Sequence, residues 1–96
     1  MDVLVTYDID TTFPAGERRL VRVAHVCEAY GARVQKSVFE CRLTPARLQR
    51  LVIRLADLVD PSLDSINVYT FSADLTSSRL SLGRRPVHEP GKPWIM

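Results

Sequence analysis

The chain has 96 residues, 46% of them hydrophobic and 25% charged, and a formal net charge of +2. That balance describes one folded domain with a modest core; it excludes a disordered chain, and +2 does not by itself mark a nucleic-acid binder. Cys27 and Cys41 are the two cysteines and stand in no CxxC, with no His at ligand spacing, so they read as core thiols and not as a disulfide or zinc site.

The opening MDVLVTYDID is apolar but far too short to span a bilayer and carries no basic leader, so a cytoplasmic protein with no membrane partner is expected. Residues 2–9 form a Val/Ile-rich run that predicts a central strand buried on both faces. DTTFPAG follows as an expected loop, with Pro14 and Gly16 as breakers. From Glu17 to Tyr30 the period is helical: Leu20, Val23, Ala24, Cys27 and Tyr30 form the inward stripe. Arg18, Arg22 and His25 share the outer face, and Gly31 is the expected stop.

The stretch RVQKSVFE, residues 33–40, has apolar residues at even positions before Lys36 and at odd positions after Ser37. A one-residue slip sends every side chain to the other face of a sheet, so this is two strands joined by a turn or bulge near Gln35–Ser37, with Val34 and Phe39 facing one core. Residues 44–60 predict the second helix, with Thr44 as N-cap, Pro45 in the first turn and Pro61 as terminator. Leu48, Leu51, Val52, Leu55, Leu58 and Val59 face inward; Arg47, Arg50 and Arg54 line the opposite side. SINVYTFS, residues 65–72, alternates as a strand should, RLSLGRR predicts a short strand, and PVHEPGKPWIM is an extended tail.

The order strand, helix, strand, strand, helix, strand is the ferredoxin-like α+β plan, βαββαβ with a short extra C-terminal strand. It assigns residues 1–85 to the domain and 86–96 to the Pro-rich tail. Two helices on one face leave the other to be covered, and Tyr7, Tyr69, Phe71 or Val38 are expected there. A homodimer with sheet-to-sheet packing would bury such a face.

Asp8 is the pointed feature. A carboxylate ending a central apolar strand is costly to desolvate unless it is paired, capped or metal-bound. Two readings compete: Asp8 caps the following loop through its side chain, or it contributes to a Mg²⁺ site, since that ion takes one or two carboxylates and fills its other positions with water and phosphate oxygens. Asp10 would share its side if the strand ran that far. Of 13 basic residues, two (Lys36 and Lys92) are Lys and the rest Arg, the planar fork that grips phosphate bidentately. Arg18, Arg19 and Arg22 crowd the start of the first helix, where cations are mildly unfavourable for the helix itself and suggest an anionic ligand. Arg47, Arg50 and Arg54 read as a solvated face that can add to a phosphate-tracking surface. His25 and His88 stand in no triad spacing, and Ser37 reads as a turn hydroxyl.

VLVTYDI followed by RRLVRVAHVCEAYGARVQKSVFECRLT resembles the small CRISPR-associated endoribonuclease family, the compact partner of the CRISPR integrase. The shared pattern is a strand ending in Y-D-I, an Arg-bearing helix ending in Y-G, and R-V-Q-x-S-V-F-E. The resemblance implies a homodimer in which Asp8 of each chain faces its mate and one Mg²⁺ lies between them. It implies nucleic-acid-binding roles for Arg18, Arg19 and Arg33, and supporting roles for Tyr7 and Phe39. Two functions follow. One is metal-dependent phosphodiester hydrolysis of single-stranded RNA or duplex DNA at Asp8. The other is a DNA-binding scaffold without catalysis, docked on the integrase subunit through a tail that carries Trp94 and Ile95. A toxin-like ribonuclease of the same fold stays open; an RNA-recognition module fits less well, because its third strand needs several aromatics and this one offers Phe39.

Overall fold

In a computed structural model, residues 1–71 are described together with the backbone of 81–82 and 85–86. The elements are β1 (Asp2–Asp8), α1 (Pro14–Glu28), β2 (Gly31–Gln35), β3 (Val38–Arg42), α2 (Pro45–Leu58), β4 (Ser65–Phe71), β5 (Ser81–Leu82) and β6 (Arg85–Pro86). The first four strands to pair make an antiparallel sheet in the order β2-β3-β1-β4, the ferredoxin-like arrangement expected from the element order. β5 and β6 pair with each other, so the short strand expected around residue 81 is one arm of a two-stranded unit. The tail residues Trp94 and Ile95, and His88, lie outside the described residues. No helix among the described residues is long and apolar enough to cross a membrane.

β1 is central, and its first six residues, Asp2 to Tyr7, are buried. Its register sets the two faces, because alternate side chains point to opposite sides. Val3, Val5 and Tyr7 share a face with Phe39 and Cys41 of β3 and with Ile66 and Val68 of β4. That face packs under the helices against Val23, Val26, Cys27, Leu51 and Leu55. Burying side chains such as Phe39 and Leu51 stabilises the fold by about 1.5–3 kcal/mol each. Tyr7 was expected on the helix-free face; the register puts it on the helix side, opposite Ile66. Val38, Tyr69 and Phe71 do lie on the helix-free face. There Leu4 and Val38 are buried within the single chain, and Tyr69 is exposed.

RVQKSVFE divides as its pattern requires. β2 ends at Gln35, β3 begins at Val38, and Lys36–Ser37 make the turn. The register shifts between Arg33 and Gln35, so Val34 is taken up in a bulge. Phe39 consequently faces Arg33, not Val34, which is half-buried and outside the core cluster.

α1 starts three residues earlier than the expected Glu17. Pro14 sits in the first turn, where its missing N–H costs nothing and its φ is already helical. The carbonyl of Phe13 accepts from the Gly16 and Glu17 amides at 2.9 and 3.4 Å. The helix ends at Glu28, before Gly31, which opens β2. Gly31 serves close packing: a Cβ there would collide with the Glu40 carbonyl oxygen. α2 follows its signals closely, with Thr44 Oγ1 accepting from the Arg47 amide at 3.3 Å, while Val52 proves exposed.

Candidate functional site

Asp8 is the last residue of β1 and sits opposite Ser65 of β4. By alternation it lies on the helix-free face, in line with Thr6, Leu4 and Asp2. It is exposed, so the desolvation cost of a carboxylate inside the sheet does not arise. Three carboxylates, Asp10, Asp60 and Asp64, gather in the loops that follow β1 and precede β4. Asp10 Oδ1 accepts from the Thr12 amide at 2.9 Å. Asp60 Oδ1 accepts from the amide and hydroxyl of Ser62 at 3.0 and 2.7 Å. These bonds hold both carboxyls below the usual carboxylate range. The loop-capping carboxylate is therefore Asp10, which lies beyond the strand. Asp8 has no hydrogen-bond or ion-pair partner among the described residues.

Asp64 is fully engaged. Its Oδ2 accepts from Arg19 Nε at 2.8 Å and from the Asp60 amide at 2.9 Å. Its Oδ1 accepts from Arg19 Nη2 at 3.2 Å and from the Asp10 amide at 3.0 Å. The side chain is 0% exposed, and the Arg19 guanidinium beside it holds its carboxyl down at about 2. Arg19 Nη2 also reaches the Asp10 carbonyl oxygen at 3.5 Å. A Cβ on Gly16 would strike that same carbonyl oxygen. One carboxylate thus joins α1, the segment after Asp8 and the turn before β4. Asp64 escaped the sequence reading; the available signal was an acid directly before a strand, in D-S-I-N-V-Y, facing an arginine 45 residues away.

The expected site residues are consequently dispersed. Arg18 and Arg22 are exposed on α1 beside Pro14, Glu17 and Val21. Arg19 is committed to Asp64, with 17% of its side chain exposed. Arg33 lies on the helix side of β2, across the sheet from Asp8. Its guanidinium sits 5.1 Å from the Phe39 ring centroid, and its Nη2 lies 3.3 Å from Glu28 Oε1. Tyr7 and Phe39 are core residues, their rings stacked at 6.2 Å and 23°. The Tyr7 hydroxyl donates to the Lys36 carbonyl at 3.3 Å, and burial pushes its pKa up.

Among the described residues no group of three or more His, Cys, Asp or Glu could enclose a metal ion. An exposed carboxylate with unengaged oxygens does fit a hard cation that keeps most of its waters, as Mg²⁺ does. Asp8 is the residue that would hold it.

The model of the family described as CRISPR associated protein Cas2 matches residues 1–78. The chain is 43% identical over 94 residues to CRISPR-associated endoribonuclease Cas2 3 of Rhodospirillum rubrum, covering 98% of this chain and 99% of the relative. It is 38% identical over 95 residues to CRISPR-associated endonuclease Cas2 of Halalkalibacterium halodurans, covering 99% of each. The crystal structure of Streptococcus pyogenes Cas2 superimposes with a TM-score of 0.77 at 46% identity, over 86% of this chain and all of that one. With a matching model over most of its length and relatives matched nearly end to end, the chain belongs to the CRISPR-associated Cas2 family.

Proposed function

We propose that the protein is a cytoplasmic, homodimeric, nucleic-acid-binding subunit of CRISPR spacer acquisition that works with the integrase and hydrolyses phosphodiester bonds at Asp8. The observation that carries this reading is the contrast between Asp8 and the three carboxylates of the adjoining loops. Asp10, Asp60 and Asp64 are tied into loops, whereas Asp8 is exposed and without a partner among the described residues. A dimer axis beside Asp8 would bring two copies together. A divalent ion of the Mg²⁺ type bound there would supply Lewis-acid stabilisation of phosphoryl charge and activation of water.

The protein's own groups do the rest. Asp8 offers oxygen donors at a fixed point, because the segment after it is held by Asp64, Arg19 and Gly16. Arg18 and Arg22, exposed on α1, offer guanidiniums to the phosphates of a bound nucleic acid beyond the reacting centre. The names of the relatives, endoribonuclease and endonuclease, support a nuclease, and its proposed substrates are single-stranded RNA or duplex DNA. Replacing Asp8 with Asn should remove Mg²⁺-dependent cleavage of both substrates while leaving melting temperature unchanged. Wild-type cleavage by the variant refutes catalysis at Asp8.

A second reading, a DNA scaffold without catalysis, draws on a separate observation. Arg19 and Arg33 are engaged internally, and no general base stands beside Asp8 among the described residues. Spacer capture with the integrase that survives Asp8→Asn, in a protein without detectable cleavage, would select it.

A further inference from the structure

The helix layer carries an arginine cluster well away from Asp8. Arg47 and Arg54 are exposed residues of α2, two turns and so about 10 Å apart along its axis. Both guanidiniums converge on the ring of Tyr30, at 5.1 and 5.8 Å from its centroid. Tyr30 is half-buried against the core just beyond α1, where its amide donates to the Cys27 carbonyl at 3.0 Å and anchors the backbone that carries the ring. Arg50 is exposed between them on the same helix. Among the described residues no carboxylate pairs with Arg47, Arg50 or Arg54; the arginines that do form ion pairs are Arg19, Arg33 and Arg42. Like charges gathered on one ring repel, and an anion between them would relieve that repulsion. A guanidinium held near an aromatic ring is pre-ordered, so less side-chain entropy is lost when its N–H groups bind phosphate.

We propose that Tyr30, Arg47, Arg50 and Arg54 form a phosphate-binding surface for the backbone of duplex DNA. The concentration of unpaired positive charge favours a duplex, whose two strands present phosphates densely along a stiff backbone. Single-stranded RNA is gripped largely by stacking bases on aromatic rings, and here the ring is already taken by two guanidiniums. The surface adds to the nucleic-acid reading above and rests on it, but it is independent of cleavage at Asp8.

The test is the affinity of the full chain for a 30-base-pair duplex, measured by fluorescence anisotropy from 50 to 250 mM salt. Arg47→Gln/Arg54→Gln should bind about tenfold more weakly at 150 mM, with the log–log salt slope reduced by about two. Duplex bound to the wild type should also protect Arg47 and Arg54 from phenylglyoxal, read by mass spectrometry, which needs no variant to fold. Unchanged affinity and slope in the double variant, or labelling of both arginines unaffected by DNA, overturns the proposal while leaving the general reading intact. A wild type that binds no duplex overturns both.

Discussion

Asp64→Ala should be the most damaging single change near the site, although it removes no residue that touches substrate. The substitution leaves the Arg19 guanidinium, 17% exposed, without its counterion and takes the acceptor from the Asp10 and Asp60 amides. Breaking a buried ion pair by removing one partner costs about 3–5 kcal/mol. Arg19 keeps some contact with water, so we take about 3 kcal/mol. For a domain of this length that lowers the melting temperature by about 12–24 °C. The pH dependence gives an independent handle. The Asp64 carboxyl is held at about 2 when folded, against an ordinary value of 3.8, so it ionises more readily in the folded state. Its contribution is complete above pH ~4 and is lost as the pH falls through that value towards 2; after allowance for solvent screening it amounts to about 1–2 kcal/mol. Circular-dichroism melts at neutral pH and between pH 4 and 2 measure both effects. Asp64→Asn should be less stable at neutral pH and should lose less on acidification than the wild type. An Asp64→Ala protein melting within about 4 °C of wild type, or parallel acid profiles for wild type and Asp64→Asn, would refute the clamp.

Three further outcomes follow from the same structure. Arg19→Gln should lower the melting temperature with little effect on DNA affinity, while Arg18→Gln should weaken DNA binding with little effect on melting; the reverse pattern would return Arg19 to a phosphate contact. Burial pushes the Cys27 thiol up to about 12 and raises that of Cys41, so neither should react with iodoacetamide in the native protein at pH 8, and both should in denaturant; rapid native labelling would contradict their burial. Gly31→Ala drives a Cβ into the Glu40 carbonyl and to 2.5 Å from Cys41 Sγ, and should destabilise by about 1–3 kcal/mol in urea titration, a loss that a neutral result would exclude.

The elements were legible wherever a local rule governs them. The parity change inside RVQKSVFE required a turn, and Lys36–Ser37 supply it, because a strand cannot change face without one. Thr44 and Pro45 marked the start of α2 through a cap that acts within three residues. Pro14 was harder, since the same residue breaks a helix from inside and favours one from its first turn. The side taken by Tyr7 depended on which neighbours β1 acquires, and the partner of Phe39 on a bulge that admits Val34. Asp8 could be singled out because its strand is so apolar on either face. The fate of Arg19 could not be read locally: a cation in the first turns of a helix looks like a ligand contact until Asp64, brought in from before β4, is seen to occupy it. Cation–ring contacts between α2 and Tyr30 were hidden for the same reason, as they join residues 17 and 24 positions apart.

The central claim is that Asp8 is the carboxylate left available for chemistry at the end of β1. Its most direct test measures Mg²⁺-dependent cleavage of single-stranded RNA and duplex DNA by wild type and Asp8→Asn at matched melting temperature and matched duplex affinity. The account predicts cleavage by the wild type and none by the variant; equal cleavage by both would contradict it.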